Sequence, residues 1–142
     1  MVSRLSLALV LALASCSSAP VSPGAFGPPA SDRLQTGSWG GEHIALTVTG
    51  AGGHLEFDCA SGDITQPLVV DDLGRLDAGG VFVQEHAGPI RVGEEPDRKP
   101  ARYSGHLTGK TLILTVTLVD SNESIGSFTL TYAAEPRIRK CL

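Results

Sequence analysis

From about Thr36 onward, apolar and polar residues alternate along the chain with a period of two. Ile44, Leu46 and Val48 fall on one face of the stretch His43–Thr49, and Leu55, Phe57 and Cys59 share a face opposite His54, Glu56 and Asp58. Val81-Phe82-Val83 follows the pair Gly79-Gly80, which reads as turn punctuation, and Tyr103, Gly105 and Leu107 make a further short set. The clearest alternation comes last. Leu112, Leu114, Val116 and Leu118 stand against Thr115 and Thr117, then Phe128, Leu130 and Tyr132 against Ser127, Thr129 and Thr131. Successive side chains of a strand point to opposite faces, so this spacing predicts half-buried β-strands. Gly50–Gly53, Thr108-Gly109-Lys110 and Asp120–Glu123 supply the turn chemistry between them. Helical spacing is not sustained anywhere in this region; Ile64–Leu73 allows one short turn, and Pro67 argues against more. The expectation is an all-β domain of about seven or eight short strands, an antiparallel meander closed as a barrel or folded as a sandwich.

Composition narrows the function classes. The 142 residues allow one domain, and Gly (17) with Pro (9) suit a turn-rich β protein. Lys and Arg (11) are outnumbered by Asp and Glu (15), so no excess of positive charge exists to neutralise a phosphate backbone, and nucleic acid is excluded as a partner. Near the N-terminus, Arg4 precedes an apolar run from Leu5 to Ala14 broken only by Ser6. As a helix that run spans about 15 Å, half of a bilayer core, which marks a secretory signal rather than a membrane span. Directly after it, Leu13-Ala14-Ser15-Cys16 resembles the lipobox of bacterial lipoproteins. The resemblance implies a signal peptide over 1–15, cleavage before Cys16, a diacylglycerol on its sulfur, and the membrane as a partner through that anchor. Ser17, where an Asp would retain the protein at the inner membrane, resembles the sorting signal for the outer membrane if the host has two membranes. Residues 16–35, rich in Ser, Pro, Gly and Ala with Phe26 as the one large apolar side chain, read as a flexible tether. The folded domain is expected over 36–142.

Once Cys16 is set aside, Cys59 and Cys141 remain. In an exported chain an even remainder points to a disulfide, the alternative being a catalytic or metal-binding cysteine. Gly37-Ser38-Trp39, at the start of the first strand, resembles the signature of lipocalins and related small barrels. That likeness implies that Trp39 closes the barrel floor, with Arg137 or Arg139 packed on the indole by a cation–π contact. The domain is also similar to uncharacterised exported bacterial proteins in Trp39-Gly40-Gly41, Phe57-Asp58-Cys59 and Lys140-Cys141-Leu142, a likeness that brings no activity with it.

Candidate chemistry is sparse. His54, Glu56 and Asp58 project from one strand face, a donor set able to hold a divalent metal, although the amphipathic alternation explains the same pattern. His43, His86 and His106 complete the histidines. Ser104 lies two residues from His106 on a strand, without a Gly-x-Ser-x-Gly elbow, and Glu56 with Asp58 is the kind of carboxylate pair that any acidic strand face provides. Gly93–Pro100 mixes both charge signs, and the loops 84–90 and 93–100 carry His86 and Arg98 as candidate contacts, since loops on a rigid scaffold commonly carry recognition. The expected function is that of a lipid-anchored, non-enzymatic cell-envelope domain with no cofactor, binding a small apolar ligand in the barrel mouth or an envelope protein at its loops, as inhibitor lipoproteins do. The rival is an envelope metal-binding protein or small hydrolase using the histidines and glutamates.

Overall fold

The computed structural model describes residues 32–141. Within them the alternating segments form β1 (Asp32–Arg33), β2 (Gly37–Gly41), β3 (Ile44–Val48), β4 (Gly53–Phe57), β5 (Ala60–Ile64), β6 (Val69–Val70), β7 (Arg75–Gln84), β8 (Asp97–Thr108), β9 (Thr111–Leu118) and β10 (Ser124–Tyr132). No helix forms among these residues. The strands β2-β3-β4-β5-β7-β8-β9-β10 pair antiparallel in turn, and β10 pairs back to β2 through Tyr132↔Trp39. The ring is therefore a closed, eight-stranded meander barrel and not a sandwich. β1 and β6 make a two-rung ladder attached to β7 at Val70↔Leu76. Closure gives every strand of the ring a neighbour on both sides, except where residues 97–99 of β8 run past β9 and pair with β7 alone.

Register places apolar residues opposite apolar residues on the inner face, as in Trp39↔Leu46, Leu46↔Leu55 and Tyr103↔Val116. Slipping any pairing by one residue would turn that set to solvent, so the alternation that predicts the strands also fixes their pairing. The end of the barrel where β2 begins is the floor. There the indole Nε1 of Trp39 donates to the Gln35 carbonyl at 3.0 Å, Leu34 and Leu68 are buried, and Tyr132 meets Trp39 edge-on at 5.2 Å between centroids. Towards the opposite end, the rim, Phe57 packs against Phe82 at 5.6 Å and Phe128 at 5.2 Å. The interior is filled by these side chains, of which Phe128 and Tyr132 are partly buried, together with the essentially inaccessible Leu55, Tyr103, Leu114 and Leu130. Eight strands enclose a space just wide enough for that.

Three local expectations change. Gly79-Gly80 does not punctuate: both lie inside β7, and at Gly80 a Cβ would overlap the Asp63 carbonyl of β5 and press 3.0 Å from the Tyr103 ring. The residues Ala60, Gly62 and Ile64 form a barrel strand that the sequence barely signals, because Gly62 faces inward without a side chain. The Tyr103 ring fills the space that a side chain there would occupy, its hydroxyl donating to the Val81 carbonyl at 2.7 Å. Burial drives the Tyr103 phenol pKa strongly upward, so the hydroxyl stays a donor.

The third change concerns the arginines. After β10 the chain turns back and runs up the outside of β2, where Arg137 pairs with Glu42 in a parallel bridge. The Arg137 side chain is 82% exposed and reaches Glu42 at 3.7 Å, while the Arg139 amide donates to Asp58 at the rim. Neither packs on Trp39, because the tail carries both away from the floor; the residue on the indole is Tyr132.

Candidate functional site

The rim gathers the connections β2–β3, β4–β5, β7–β8 and β9–β10, and most of the chain's polar chemistry lies there. On one side the C-terminal tail is strapped down. The Arg137 amide donates to the Gly41 carbonyl at 2.9 Å, and the His43 amide to the Arg137 carbonyl at 2.8 Å. The Cys141 amide reaches the Asp58 carbonyl at 3.2 Å, and Cys59 and Cys141 form a disulfide with Cα atoms 5.3 Å apart. Asp58 is the hub: Oδ1 accepts from the Arg139 amide at 2.8 Å and Oδ2 lies 2.6 Å from His43 Nδ1. The amide of Arg139, then the bond and charge of His43, hold the Asp58 carboxyl below its ordinary 3.8. His43 occupies a left-handed backbone position at φ 65°, which turns β2 into β3 and aims the imidazole at Asp58.

The proposed metal triad does not assemble as a triad. His54 Nδ1 lies 2.6 Å from Asp63 Oδ1, its cross-strand neighbour on β5, and Nε2 is 3.8 Å from Glu56. Asp58, beyond the end of β4, turns instead to His43 and the tail. Glu56 is shared with Lys140, at 3.4 Å, which also reaches Glu85 at 3.6 Å. Among the described residues no group of three or more His, Cys, Asp or Glu side chains comes together to hold a metal ion. His106 stands on the outer face of β8 opposite Ile113, and no hydrogen bond joins it to Ser104. The four histidines thus occupy four separate settings.

On the other side of the rim, β7 and β8 extend as a long hairpin whose connection, residues 85–96, stands out from the barrel. Pairing persists to Gln84↔Asp97, so Arg98 lies within β8 opposite Val83 and not in a loop. The loop has internal order. Glu94 Oε2 accepts from the Arg91 amide at 3.1 Å, the Glu94 amide returns to the Arg91 carbonyl at 3.0 Å, and Gly93 supplies the left-handed residue, φ 85°, that this turn needs. Glu94 Oε1 lies 2.6 Å from His86 Nε2, while His86 Nδ1 lies 3.2 Å from the Ala87 carbonyl. The carbonyl of Ala87 and then Glu94 raise the His86 pKa above the ordinary 6.5, and the Arg91 amide and then His86 lower that of Glu94 below 4.5. Beyond this cross-link the tip exposes Ile90 and Val92, 80% and 108% accessible. Beneath the tip a cleft of about 380 Å³ opens, lined by Val83, Glu85, His86, Ile90, Glu94 and Asp97.

Sequence reasoning singles out His86 but not its partner eight residues on, nor the apolar tip between them. An isoleucine and a valine two residues apart in a stretch bounded by Pro89 and Pro96 are the signal that was present. Cys16 and the lipobox lie outside the described residues. No family model, no curated protein and no solved structure matches the chain.

Proposed function

We propose that this chain is an exported, lipid-anchored cell-envelope protein whose barrel is a rigid mount for the 85–96 loop, and that the loop binds a protein partner through an apolar pocket on that partner. One observation carries the reading: the barrel interior is packed with side chains, while two branched apolar side chains stand in solvent at the tip of an ordered, projecting loop. A core filled with side chains supports a binding element on the outside of the barrel rather than in its mouth. Burying Ile90 and Val92 together is worth about 3–5 kcal/mol before the costs of association, the scale of a binding hot spot.

The layout supports the same reading. Asp32, where the described chain begins, pairs with Val70 in the small ladder joined to β7 near its start, at the floor. The loop leaves β7 at the opposite end. A chain held by acyl groups on Cys16, through the Ser/Pro/Gly tether, would present the loop away from its own membrane.

Two experiments test the two halves. Metabolic labelling with a palmitate analogue in a diderm bacterium is expected to mark the full chain and not Cys16→Ser; label that persists in the variant overturns the anchor. A photo-crosslinker at position 90 is expected to give a discrete protein adduct in intact envelopes that is lost in Val92→Asp, whereas one at position 113 on the β9 face gives none. Equal adducts from both positions overturn the loop as the binding element.

A further inference from the structure

The His86–Glu94 contact links the base of the projecting loop to its tip, and its geometry specifies a protonation state. Both ring nitrogens of His86 face oxygen acceptors, the Ala87 carbonyl at 3.2 Å and the Glu94 carboxylate at 2.6 Å. A neutral imidazole has one N–H and can satisfy only one of them; an imidazolium donates to both. Glu94 is in turn held by the Arg91 amide through its other oxygen, so the carboxylate bridges His86 to the turn that carries Val92.

We propose that His86 and Glu94 form a proton-dependent clasp, which holds the 85–96 loop in its binding shape while the imidazole is protonated and lets it open when the imidazole is neutral. The inference rests on the reading of this loop as the binding element and adds its regulation. Around the pair, Glu85 from the end of β7, Glu95 within the loop and Asp97 from the start of β8 line the same cleft, with Arg91 at the tip and Lys99 of β8 on Asp97 at 3.1 Å. Lys140, from the tail, is engaged with Glu85 and Glu56.

The direction of the effect follows from the two partners. His86, raised in the folded chain, contributes fully below its unfolded value and loses its contribution as pH rises through the folded one. Glu94, lowered, contributes above its unfolded value and loses its contribution as pH falls through the folded one. The clasp is closed between those limits.

The test needs no partner. The full chain, purified in mild detergent and labelled with ¹³C-histidine, gives one ring signal per histidine, and hydrogen exchange reads the protection of the Arg91 amide in the same samples. The His86 midpoint is expected above that of a free histidine, and Arg91 protection is expected to fall across it. For each pH unit by which the midpoint is displaced, the closed-to-open ratio changes about tenfold, so the two readouts must agree. Glu94→Gln is expected to return the midpoint towards the ordinary value and flatten the protection profile; His86→Gln is expected to leave Arg91 poorly protected throughout. A midpoint at or below the ordinary value, or protection unchanged across it, overturns the clasp. Failure here with the crosslink at position 90 intact would remove the regulation alone, and loss of that crosslink with a normal titration would remove the partner reading alone.

Discussion

A double-mutant cycle between Gly62 and Tyr103 tests how the barrel is filled. Gly62 does not have a positive φ, so its backbone accepts alanine and any cost is steric. A Cβ at that position would overlap the Tyr103 hydroxyl, with Tyr103 Cζ and the Val81 carbonyl each at 3.2 Å. The hydroxyl cannot simply swing away, because the ring is fully buried and the O–H donates to Val81. Overpacking of this kind costs about 1–3 kcal/mol, taken as about 2 for Gly62→Ala. Tyr103→Phe removes one hydrogen bond and costs about 1 kcal/mol. Independent sites would then sum to about 3 kcal/mol. If the hydroxyl is what the new methyl meets, removing it makes room, and the double variant is expected to lose only about 1 kcal/mol, a coupling of about 2. Urea denaturation followed by far-UV circular dichroism measures all four corners of the cycle. Additivity within about 0.5 kcal/mol would refute the claim that Tyr103 occupies the space Gly62 leaves.

Replacing Cys59 and Cys141 by alanine opens a cross-link with a sequence separation of 82, for which chain entropy gives a loss of about 4.5 kcal/mol. Thermal unfolding should show this as a fall in Tm of about 20 °C, and a fall of only a few degrees would place the disulfide's effect elsewhere. Gly40→Ala points a methyl into the strapped tail, at the Ala134 carbonyl and 2.7 Å from Pro136 N, so the tail is expected to lift while the barrel stays closed. Limited proteolysis at Arg137 and Arg139 should accelerate severalfold without loss of the β-sheet spectrum. Acid should loosen the same strap. The Asp58 carboxylate, held low by the Arg139 amide and His43, contributes above its unfolded value and ceases to as pH falls through its folded one. Exchange at the Arg139 amide is the readout, and Asp58→Asn should blunt its pH dependence. Ile90→Asp with Val92→Asp is expected to leave Tm within about 2 °C, since both side chains are already in water.

The strands most legible in the sequence are those whose inward positions all carry large apolar groups. Leu112, Leu114, Val116 and Leu118 announce β9 without ambiguity. β5 was hidden, because its inward Gly62 owes its identity to a tyrosine forty-one residues away, and a period-two pattern cannot register a side chain that is absent by design of the neighbour. Gly80 misled for a related reason, since close packing inside a narrow barrel and a turn both favour glycine; Gly79 faces open space, and nothing in the structure explains the absence of its side chain. The tail was legible in its cysteine and not in its path. Whether Arg137 reaches the floor or the rim depends on which way the chain turns after Tyr132, and Ala133, with φ 59°, makes that turn without a glycine or proline to advertise it. At the candidate site His86 was visible as a residue type, but the bond that gives it meaning needs Gly93 to fold Glu94 back.

The seam between β2 and β10 has a kinetic consequence. All the other joints of the ring link strands that are neighbours in sequence apart from the short excursion through β6, whereas this one brings Trp39 to Tyr132 across most of the domain. In the reduced chain, joining segments so far apart incurs its loop-closure entropy before any contact rewards it, so this pairing is expected to form late and slowly there, whereas the Cys59–Cys141 bond of the oxidised chain shortens the loop to be closed. Trp39 is the single tryptophan of the chain, and its indole rests edge-on against the tyrosine that completes the circle. In the reduced chain its fluorescence is therefore expected to follow closure, an intrinsic clock set where the two ends of the meander meet.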